Sequence, residues 1–498
     1  MESFGLWIDG HEEVADSRRT FESFDPATGS VWAHIVEGTT ADVDAAVAAA
    51  ERAGRPDAQW AKMSPSDRRR VLQNLARVIQ ENANTLAVVE SIDAGKMLRE
   101  TRLHVDACVE WLEYFAGYTD KLTGSTIPAG RRVLNYTLHQ PYGVVGAIVP
   151  GNSPILLAMW KMAPALATGN TLVIKPSEFT SASLITLMRL TKDILPQGVV
   201  NVVPGWGPEV GTAIARHPGI RKVAFTGSTT TGANVASVAA SRLAPSLLEL
   251  GGKSANVVFA DAVYEKAIAG IMAGVFAASG QTCMAGSRVL VQSEIYEDVL
   301  RDLVERARLI RVGHPRSEQT QVGPLGSLRQ LERVEALVNR AVGQGAVVHV
   351  GGHRANVPDH PEGWYFEPTI LSNVSNDWEI ACEEIFGPVM IIMPFDTEED
   401  ALRIANDSNF GLVTGVWTTN LSRAHRLSEG LNVGTVFVNL FRKVLPQSPF
   451  GGNRNSGIGR ENGVEVLLEY TQVKSVLIDL DDSLVQDPFL MRVGEDSP

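Results

Sequence analysis

Through the middle of the chain, apolar residues recur with two different periods. Between residues 144 and 259, runs of four to six mostly apolar residues are separated by segments whose apolar residues recur at helical spacing. This switch from a period of 2 to a period of about 3.6 predicts strand–helix–strand units in a parallel sheet. The predicted strands are 144–149, 171–175, 199–203, 222–226 and 256–259, and the helices between them are 154–167, 181–195, 208–215 and 230–242.

The flanking regions show the same two periods. Upstream, amphipathic helices are predicted at 42–53, 65–91 and 96–118, and 132–140 alternates like a solvated antiparallel strand. Segment 473–480 alternates again, and we expect it to pair with strand 132–140 of a neighbouring subunit, because exposed strand edges invite such addition. Downstream, a second α/β series has strands at 288–291, 347–350, 390–393, 415–418 and 434–439. The predicted fold class is α/β, with two doubly wound open sheets and a small antiparallel β extension.

Length and composition narrow the possible functions. A chain of 498 residues exceeds what one hydrophobic core usually serves, so two or more domains with a cleft between them are expected. The excess of 57 acidic over 44 basic residues opposes a nucleic-acid partner. No basic patch followed by an apolar core opens the chain, and no apolar run reaches bilayer-spanning length, so we expect a cytoplasmic protein without a membrane partner. Three cysteines, an odd number, suit a reducing compartment.

A cysteine and a glutamate stand where they could do chemistry. Cys283 follows a predicted helix in a loop that contains Gly280, where a thiolate could attack a carbonyl. A buried, inert thiol is the alternative, and residue identity alone favours it. Glu249 ends an apolar strand directly before Leu250-Gly251-Gly252, where burial could raise its pKa towards that of a general base. The alternative for a glutamate at a strand end is a solvated terminus.

Three strand ends offer polar groups to a ligand. Gly227-Ser228 opens a helix whose backbone N–H groups could meet a pyrophosphate. Glu178 follows the strand that ends at Lys175 and could accept hydrogen bonds from a ribose, although this segment could equally cap the next helix. The amide of Asn152 could donate to an oxyanion, although asparagine in a turn is usually structural.

Other patterns point away from alternative chemistries. Gly252-Lys253-Ser254 lacks the glycine that a P-loop needs five positions before Gly252, and the glycines at 205, 207 and 211 miss the dinucleotide spacing by one residue. His349, His353 and His360 match no familiar metal spacing, so we expect a surface loop and no metal. No Gly-x-Ser-x-Gly elbow occurs, which disfavours that class of serine hydrolase.

Taken together, these stretches resemble the aldehyde dehydrogenase superfamily over nearly the whole chain. The family's glutamate motif appears at 248–253 and its cysteine motif at 276–283. Residues 383–388 resemble its nicotinamide-positioning segment, and 449–452 with 456–461 resemble its C-terminal signature. The order of the motifs is the family's own.

The resemblance implies a mechanism and a set of site residues. Cys283 forms a thiohemiacetal whose alkoxide is stabilised by Asn152, hydride leaves to NAD, and Glu249 activates the water that hydrolyses the remaining thioester. The cofactor would be held by Lys175, Ser177, Glu178, Gly227, Ser228, Gly251, Glu384 and Phe386. Glu178 favours NAD because its charge would repel the 2′-phosphate of NADP, yet NADP stays possible because Lys175 could meet that phosphate.

The resemblance also implies domains and an assembly. Residues 1–122 and 142–251 would bind the cofactor, 252–455 would form the catalytic domain, and 123–141 with 470–498 would join subunits into a homodimer or homotetramer. A coenzyme A-acylating semialdehyde dehydrogenase and a non-catalytic binding protein of the same fold remain alternatives.

The sequence departs from the family pattern in two ways, and the first bears on the substrate. Gly151 and Ser153 stand where aromatic residues often flank the asparagine, and Arg454 stands where many relatives have lysine. The lost aromatic volume predicts a wider tunnel and a bulky, possibly aromatic aldehyde. The predicted pocket residues are Ser153, Leu157, Trp160, Thr282, Met284, Arg442 and Phe450. Arg442 and Lys443 could hold a substrate carboxylate or could be solvated surface charges.

Overall fold

Strands and helices alternate along most of the chain. The computed structural model describes residues 2–14, 17–481 and 489. Its strands are β1 (Glu2–Phe4), β2 (Leu6–Ile8), β3 (His11–Glu13), β4 (Thr20–Asp25), β5 (Ser30–Val36), β6 (Thr126–Pro128), β7 (Val133–Pro141), β8 (Val144–Ile148), β9 (Thr171–Lys175), β10 (Val200–Val202), β11 (Ile220–Thr226), β12 (Ser246–Glu249), β13 (Ala255–Val258), β14 (Arg288–Gln292), β15 (Val347–Val350), β16 (Thr369–Ser372), β17 (Val389–Phe395), β18 (Phe410–Gly411), β19 (Val413–Trp417), β20 (Thr435–Val438), β21 (Asn453–Arg454), β22 (Gly457–Ile458) and β23 (Thr471–Asp479).

The helices lie between these strands. They are α1 (Thr40–Ala53), α2 (Gln59–Lys62), α3 (Pro65–Glu81), α4 (Ala83–Ala94), α5 (Leu98–Ala116), α6 (Pro154–Ala167), α7 (Ala182–Thr191), α8 (Thr212–Arg216), α9 (Thr229–Ala240), α10 (Tyr264–Phe276), α11 (Tyr296–Arg308), α12 (Leu328–Gln344), α13 (Glu379–Cys382), α14 (Glu398–Asn406), α15 (Leu421–Gly430) and α16 (Glu465–Glu469). Among the described residues, no helix combines the length and apolar composition that a bilayer crossing requires.

The first large sheet has eight strands in the order β22-β12-β11-β8-β9-β10-β2-β3. The five strands from β12 to β10 run parallel, and antiparallel strands are added at both sides. Helices on both faces bury β8, β9 and β10 completely, which explains why these strands consist mostly of apolar residues.

The second large sheet has seven strands in the order β15-β16-β17-β14-β13-β19-β20. All neighbours are parallel except β15 and β16. Apolar side chains cover both faces in two separate clusters. The predicted class, two doubly wound sheets with a small antiparallel β extension, is confirmed.

The antiparallel extension consists of β6, β7 and β23. Strand β23 pairs with β7 of the same chain over nine residue pairs, from Thr471 opposite Pro141 to Asp479 opposite Val133. The expectation that this tail segment pairs with the strand of a neighbouring subunit was therefore wrong, because the ladder of β7 is already filled from within the chain. Residues 482–488 and 490–498 of the predicted oligomerisation segment lie outside the described residues.

Several predicted elements differ from the structure in extent. The predicted helix 65–91 is two helices, broken at Asn82, whose side-chain amide donates to the Val78 carbonyl oxygen and ends α3. The predicted helix 208–215 starts as a π-helical turn, Gly207–Gly211, before α8. Strands β1 to β6 were not predicted, and four of the six are only three residues long. Such short segments carry too few residues to show a period.

Candidate active site

A cavity of about 280 Å³ lies where the two large sheets approach each other. On one side it is lined by residues that directly follow β8, β9, β11 and β12, at the carboxyl ends of those strands, where open α/β sheets bind ligands. The other side comes from the loops around Cys283 and Glu384. Its lining includes Lys96, Asn152, Leu157, Ser177, Phe179, Gly227, Ser228, Glu249, Gly251, Ala278, Gln281, Cys283, Gln330, Glu384 and Phe386.

Cys283 is half-buried and lines this cavity, in a loop that follows α10. The loop begins with a left-handed turn through Ala278, Ser279 and Gly280, whose φ angles are 55°, 53° and 69°. A Cβ on Gly280 would overlap the carbonyl oxygen of Gly387, so only glycine fits there. Burial, followed by the charges of Glu249 and Glu384, raises the pKa of the Cys283 thiol well above its ordinary value. The sulfur therefore needs a nearby base to become a thiolate.

Glu249 ends β12 and is 1% exposed, although it lines the same cavity. Neither of its carboxylate oxygens has a hydrogen-bond partner among the described residues. Burial, and then the charge of Glu461, raises the pKa of Glu249 well above its ordinary value, while Lys161, Arg460 and the Cys283 thiol lower it. A buried carboxylate of raised pKa with two free oxygens takes up a proton more readily than an exposed glutamate does.

A buried ion pair lies behind Glu249. Lys161, on α6, contacts Glu461, and the side chains of both are 1% exposed. Lys161 Nζ also donates to Thr226 Oγ1 at 2.8 Å, and Thr226 is the direct cross-strand neighbour of Glu249 in the sheet. Sequence reasoning assigned no role to either member of the pair. The available signal was a lysine inside the otherwise apolar helix α6.

The loop of Asn152 touches the loop of Cys283. Asn152 Nδ2 donates to the carbonyl oxygen of Gln281 at 3.0 Å, two residues before the cysteine. Lys96 Nζ donates to the Asn152 carbonyl oxygen at 2.8 Å and to Ser153 Oγ at 3.1 Å. Lys96 was missed at the level of the sequence, because it lies more than fifty residues from the loop that it holds.

Of the eight predicted cofactor residues, six line the cavity: Ser177, Gly227, Ser228, Gly251, Glu384 and Phe386. The other two form an ion pair, Lys175 with Glu178, at 3.0 Å beside them. Ser228 is the N-cap of α9, and its hydroxyl accepts from Thr231 N. This helix start therefore presents N–H groups and a positive dipole end to the cavity.

Gly251 and Glu384 are in close contact. A Cβ on Gly251 would lie 2.5 Å from Glu384 Oε2, so the absent side chain is what admits the carboxylate. Burial raises the pKa of Glu384 to about 7, and a hydrogen bond from Gly252 N opposes this rise. A carboxyl group with that pKa accepts hydrogen bonds readily from ligand hydroxyls.

The predicted substrate residues are divided between the cavity and its walls. Leu157 lines the cavity, whereas Trp160 and Phe450 are buried in an aromatic cluster with centroids 5.5 Å apart, and Ser153 is buried under Lys96. Thr282 is buried and Met284 is half-buried.

The two neighbouring cations, Arg442 and Lys443, face different surroundings. Arg442 is half-buried, donates to the Ala273 carbonyl oxygen at 3.1 Å and is close enough to Cys283 for the two charges to interact, whereas Lys443 is exposed. Only Arg442 therefore faces the interior.

The histidines at 349, 353 and 360 do not converge. His349 contacts Ser372 Oγ, His353 contacts the Arg354 carbonyl oxygen, and the ring of His360 lies 4.9 Å from that of His314. Over the described part of the chain, no group of three or more His, Cys, Asp or Glu side chains is arranged to hold a metal ion.

The fold and the site together define an α/β protein with a thiol and a buried carboxylate in one cavity, where two open sheets approach each other. The sequence pattern of the aldehyde dehydrogenase family matches residues 13–476. The chain therefore belongs to the aldehyde dehydrogenase family, which confirms the resemblance and the predicted enzyme class.

Individual relatives are similar over nearly their whole length. An aldehyde dehydrogenase of Davidiella tassiana is 42% identical over 96% of both chains. The (Z)-2-((N-methylformamido)methylene)-5-hydroxybutyrolactone dehydrogenase of Acinetobacter baylyi is 41% identical over 99% of this chain and 100% of its own. Among solved structures, an NAD+ complex of aldehyde dehydrogenase from Bacillus cereus has a TM-score of 0.94 and 42% identity, covering 96% of this chain and 97% of that one. PnpE from Pseudomonas sp. WBC-3 has a TM-score of 0.94 and 40% identity, covering 97% and 99%.

Proposed function

We propose that this protein oxidises a bulky or aromatic aldehyde to the free carboxylic acid with NAD as oxidant. The observation that carries the proposal is Glu249: a buried carboxylate that finds no hydrogen-bond partner for either oxygen within residues 2–14, 17–481 and 489, and that shares a cavity with the half-buried thiol of Cys283. A nucleophile and a base in one enclosed space are what covalent oxidation followed by hydrolysis requires.

Each chemical step has a residue to perform it. Glu249 lines the same cavity as Cys283 and is the base that takes the thiol proton, which frees the sulfur to attack the aldehyde carbon. The alkoxide that forms is stabilised by Asn152 Nδ2 and the backbone N–H of Cys283, each donor being worth about 3 kcal/mol. Glu249 then takes a proton from a water molecule, which hydrolyses the thioester and releases the acid.

The residues around the cavity fit NAD, which when bound accepts the hydride from the substrate carbon. The start of α9 at Ser228 suits a pyrophosphate, and Glu384, admitted by Gly251, suits the hydroxyls of a ribose. Glu178 would face a second ribose and would disfavour a 2′-phosphate there, although its partner Lys175 leaves use of NADP open. The Bacillus cereus relative, solved as its NAD+ complex, supports this assignment.

A bulky substrate is supported by what surrounds the thiol. Gly151 and Leu157 line the cavity with Cys283, and Gly151, next to Asn152, stands where relatives often have an aromatic side chain. The Acinetobacter baylyi relative is named for a substituted hydroxybutyrolactone, a substrate larger than a simple aliphatic aldehyde.

A panel of aldehydes tests the proposal. With NAD and no coenzyme A, aromatic and bulky aldehydes should give NADH absorbance and free acid, and acetaldehyde should react more slowly. Cys283→Ala should remove this activity. Cys382→Ala is the matched control, because Cys382 is also half-buried but does not line the cavity, and it should retain activity.

The same panel separates the alternatives. Product that forms only with coenzyme A would indicate an acylating semialdehyde dehydrogenase. Equal inactivity of the wild type and Cys283→Ala on every aldehyde, with both NAD and NADP, would indicate a non-catalytic protein. Fastest turnover of acetaldehyde would contradict the bulky substrate alone.

We also propose the assignment of regions and the assembly. Residues 1–122 and 142–251 bind the cofactor, 252–455 form the catalytic domain, and 123–141 with 470–498 join subunits into a cytoplasmic homodimer or homotetramer. Exposed apolar residues share one face of the extension and support an interface there: Leu134, Leu138, Ile478 and Leu480. Light scattering should show an oligomer, and Ile478→Lys should weaken it; a monomeric wild type would refute the assembly.

A further inference from the structure

The turn that leads to Cys283 is held in a conformation its residues do not favour. Ala278 and Ser279 both have φ near 55°, in the left-handed region that side chains with a Cβ rarely adopt. Two such residues in succession need external support to persist. The surroundings of this turn should therefore contain the groups that hold it.

The support for Ala278 is a carboxylate from the other half of the molecule. Glu100 Oε1, in the first turn of α5, accepts a hydrogen bond from Ala278 N at 2.8 Å. The next residue is held separately, because Ser279 Oγ donates to the Gly323 carbonyl oxygen at 2.9 Å. A hydrogen bond to a carboxylate is stronger than one between neutral groups, so Glu100 is the stronger of the two restraints.

The start of α5 is itself firmly placed. Leu98 N donates to the Pro315 carbonyl oxygen at 3.0 Å, and the guanidinium of Arg99 donates to the Thr320 and Gln321 carbonyl oxygens at 2.6 and 2.8 Å. Four residues before Glu100, Lys96 holds the Asn152 loop. One five-residue segment, 96–100, therefore holds the loop of the oxyanion donor with its first residue and the loop of the nucleophile with its last.

We propose that Glu100 is a positioning residue for Cys283. It holds the left-handed turn so that the Cys283 sulfur can attack the carbonyl carbon of the substrate while the Asn152 amide donates to the oxygen of the same carbonyl group. The inference rests on the proposed function for the identity of the reacting groups. It predicts that loss of the Glu100 carboxylate displaces the Cys283 thiol and leaves the contacts to cofactor and substrate unchanged, because Glu100 itself makes none of them. A misplacement of about 1 Å costs a reaction of this kind on the order of 100-fold.

The first experiment compares three variants at one helix. Glu100→Ala should lower kcat by about 10- to 100-fold and slow alkylation of Cys283 by iodoacetamide, with KM for NAD within about twofold of the wild type. Glu100→Gln keeps an oxygen that can accept from Ala278 N and should remain within about threefold of the wild type in both assays. Glu110→Ala, at an exposed position of α5, is the control for the helix itself. An unimpaired Glu100→Ala, or equal impairment of the Ala and Gln variants, would overturn the proposal.

A second experiment tests the strain directly. Glycine adopts the left-handed conformation freely, so in an Ala278→Gly background the turn needs less support from Glu100. The alkylation penalty of Glu100→Ala should be at least about fivefold smaller in that background; the same penalty in both backgrounds would refute the argument. Alkylation needs no aldehyde, so an effect on the thiol in a protein that oxidises no aldehyde would sink the proposed function and leave the positioning role standing.

Discussion

Replacing Glu461 with glutamine should move the pH dependence of thioester hydrolysis to lower pH. The raised pKa of Glu249 comes first from burial and second from the negative charge of Glu461, while Lys161 and Arg460 act in the opposite direction. Glu461→Gln removes one cause that raises the pKa of Glu249 and leaves the causes that lower it in place. Since only the ionised form of Glu249 can accept a proton, the acid limb of the rate profile follows its pKa.

The contacts around β12 explain how the charge of Glu461 acts on Glu249. Thr226 and Glu249 are cross-strand neighbours, so their Cα atoms are about 5 Å apart. Lys161 bonds to both Thr226 and Glu461, which ties the Glu461 carboxylate to the strand beside the one that Glu249 ends. At an effective dielectric constant of about 20, two unit charges about 4 Å apart interact by about 4 kcal/mol, and more distant charges by proportionally less. The loss of the Glu461 charge therefore lowers the pKa of Glu249. The acid limb should therefore move to lower pH.

The assay should isolate hydrolysis from hydride transfer. An activated nitrophenyl ester acylates Cys283 without NAD, and its steady phase reports hydrolysis of the acyl-enzyme. Lys161→Met should move the limb in the opposite direction, because it removes a lowering cause. Glu465→Gln, exposed and four residues from Glu461, should leave it in place. Both variants of the pair should also melt earlier, since a lone buried charge costs about 3–5 kcal/mol. An acid limb that does not move in Glu461→Gln, or that moves to higher pH, would refute the reasoning.

Three further changes give sharp expectations. Asn152→Ala removes the amide donor and should lower kcat by about 100- to 1000-fold with NAD affinity unchanged; stopped-flow NADH formation checks this, and a loss below threefold would contradict the oxyanion role. Gly251→Ala places a Cβ 2.5 Å from Glu384 Oε2 and should weaken NADH binding by about tenfold or more in a fluorescence titration, whereas Gly343→Ala, with nothing within 4 Å of its added Cβ, should not. Glu178→Ser should raise the ratio of kcat/KM for NADP over NAD by about tenfold, since it removes the charge that repels the 2′-phosphate.

The parts of the fold that sequence predicted best are those whose pattern is complete within one element. Strand β9 and helix α6 have the predicted bounds, because β9 is an apolar run buried on both faces and α6 opens at a proline and closes before Gly169. Residues after such strands reach one cavity for a topological reason: parallel strands end at the same edge of a sheet. This is why motif positions such as Asn152, Ser177 and Gly227 share the cavity.

Predictions were less accurate where a local pattern had two solutions. The apolar spacing of 65–91 continues through Asn82. The first helix ends there because the Asn82 side-chain amide donates to the carbonyl oxygen of Val78. Likewise, the alternation of β23 predicts a strand but not its partner, which proved to be β7 of the same chain. A strand edge accepts any strand of matching register, and proximity decides which one.

The amino-acid sequence by itself determined the order of elements, the two sheets and the motif residues at their edges, because periodicity and turn chemistry act between near neighbours. Only the tertiary structure decided which charges meet. Lys161 pairs with Glu461 across 300 residues of chain, and Glu100 reaches Ala278 across 178. Burial and nearby charges set the pKa of Glu249 and the conformation of the Cys283 loop. The pKa and the loop conformation therefore depend on how elements distant in sequence pack together.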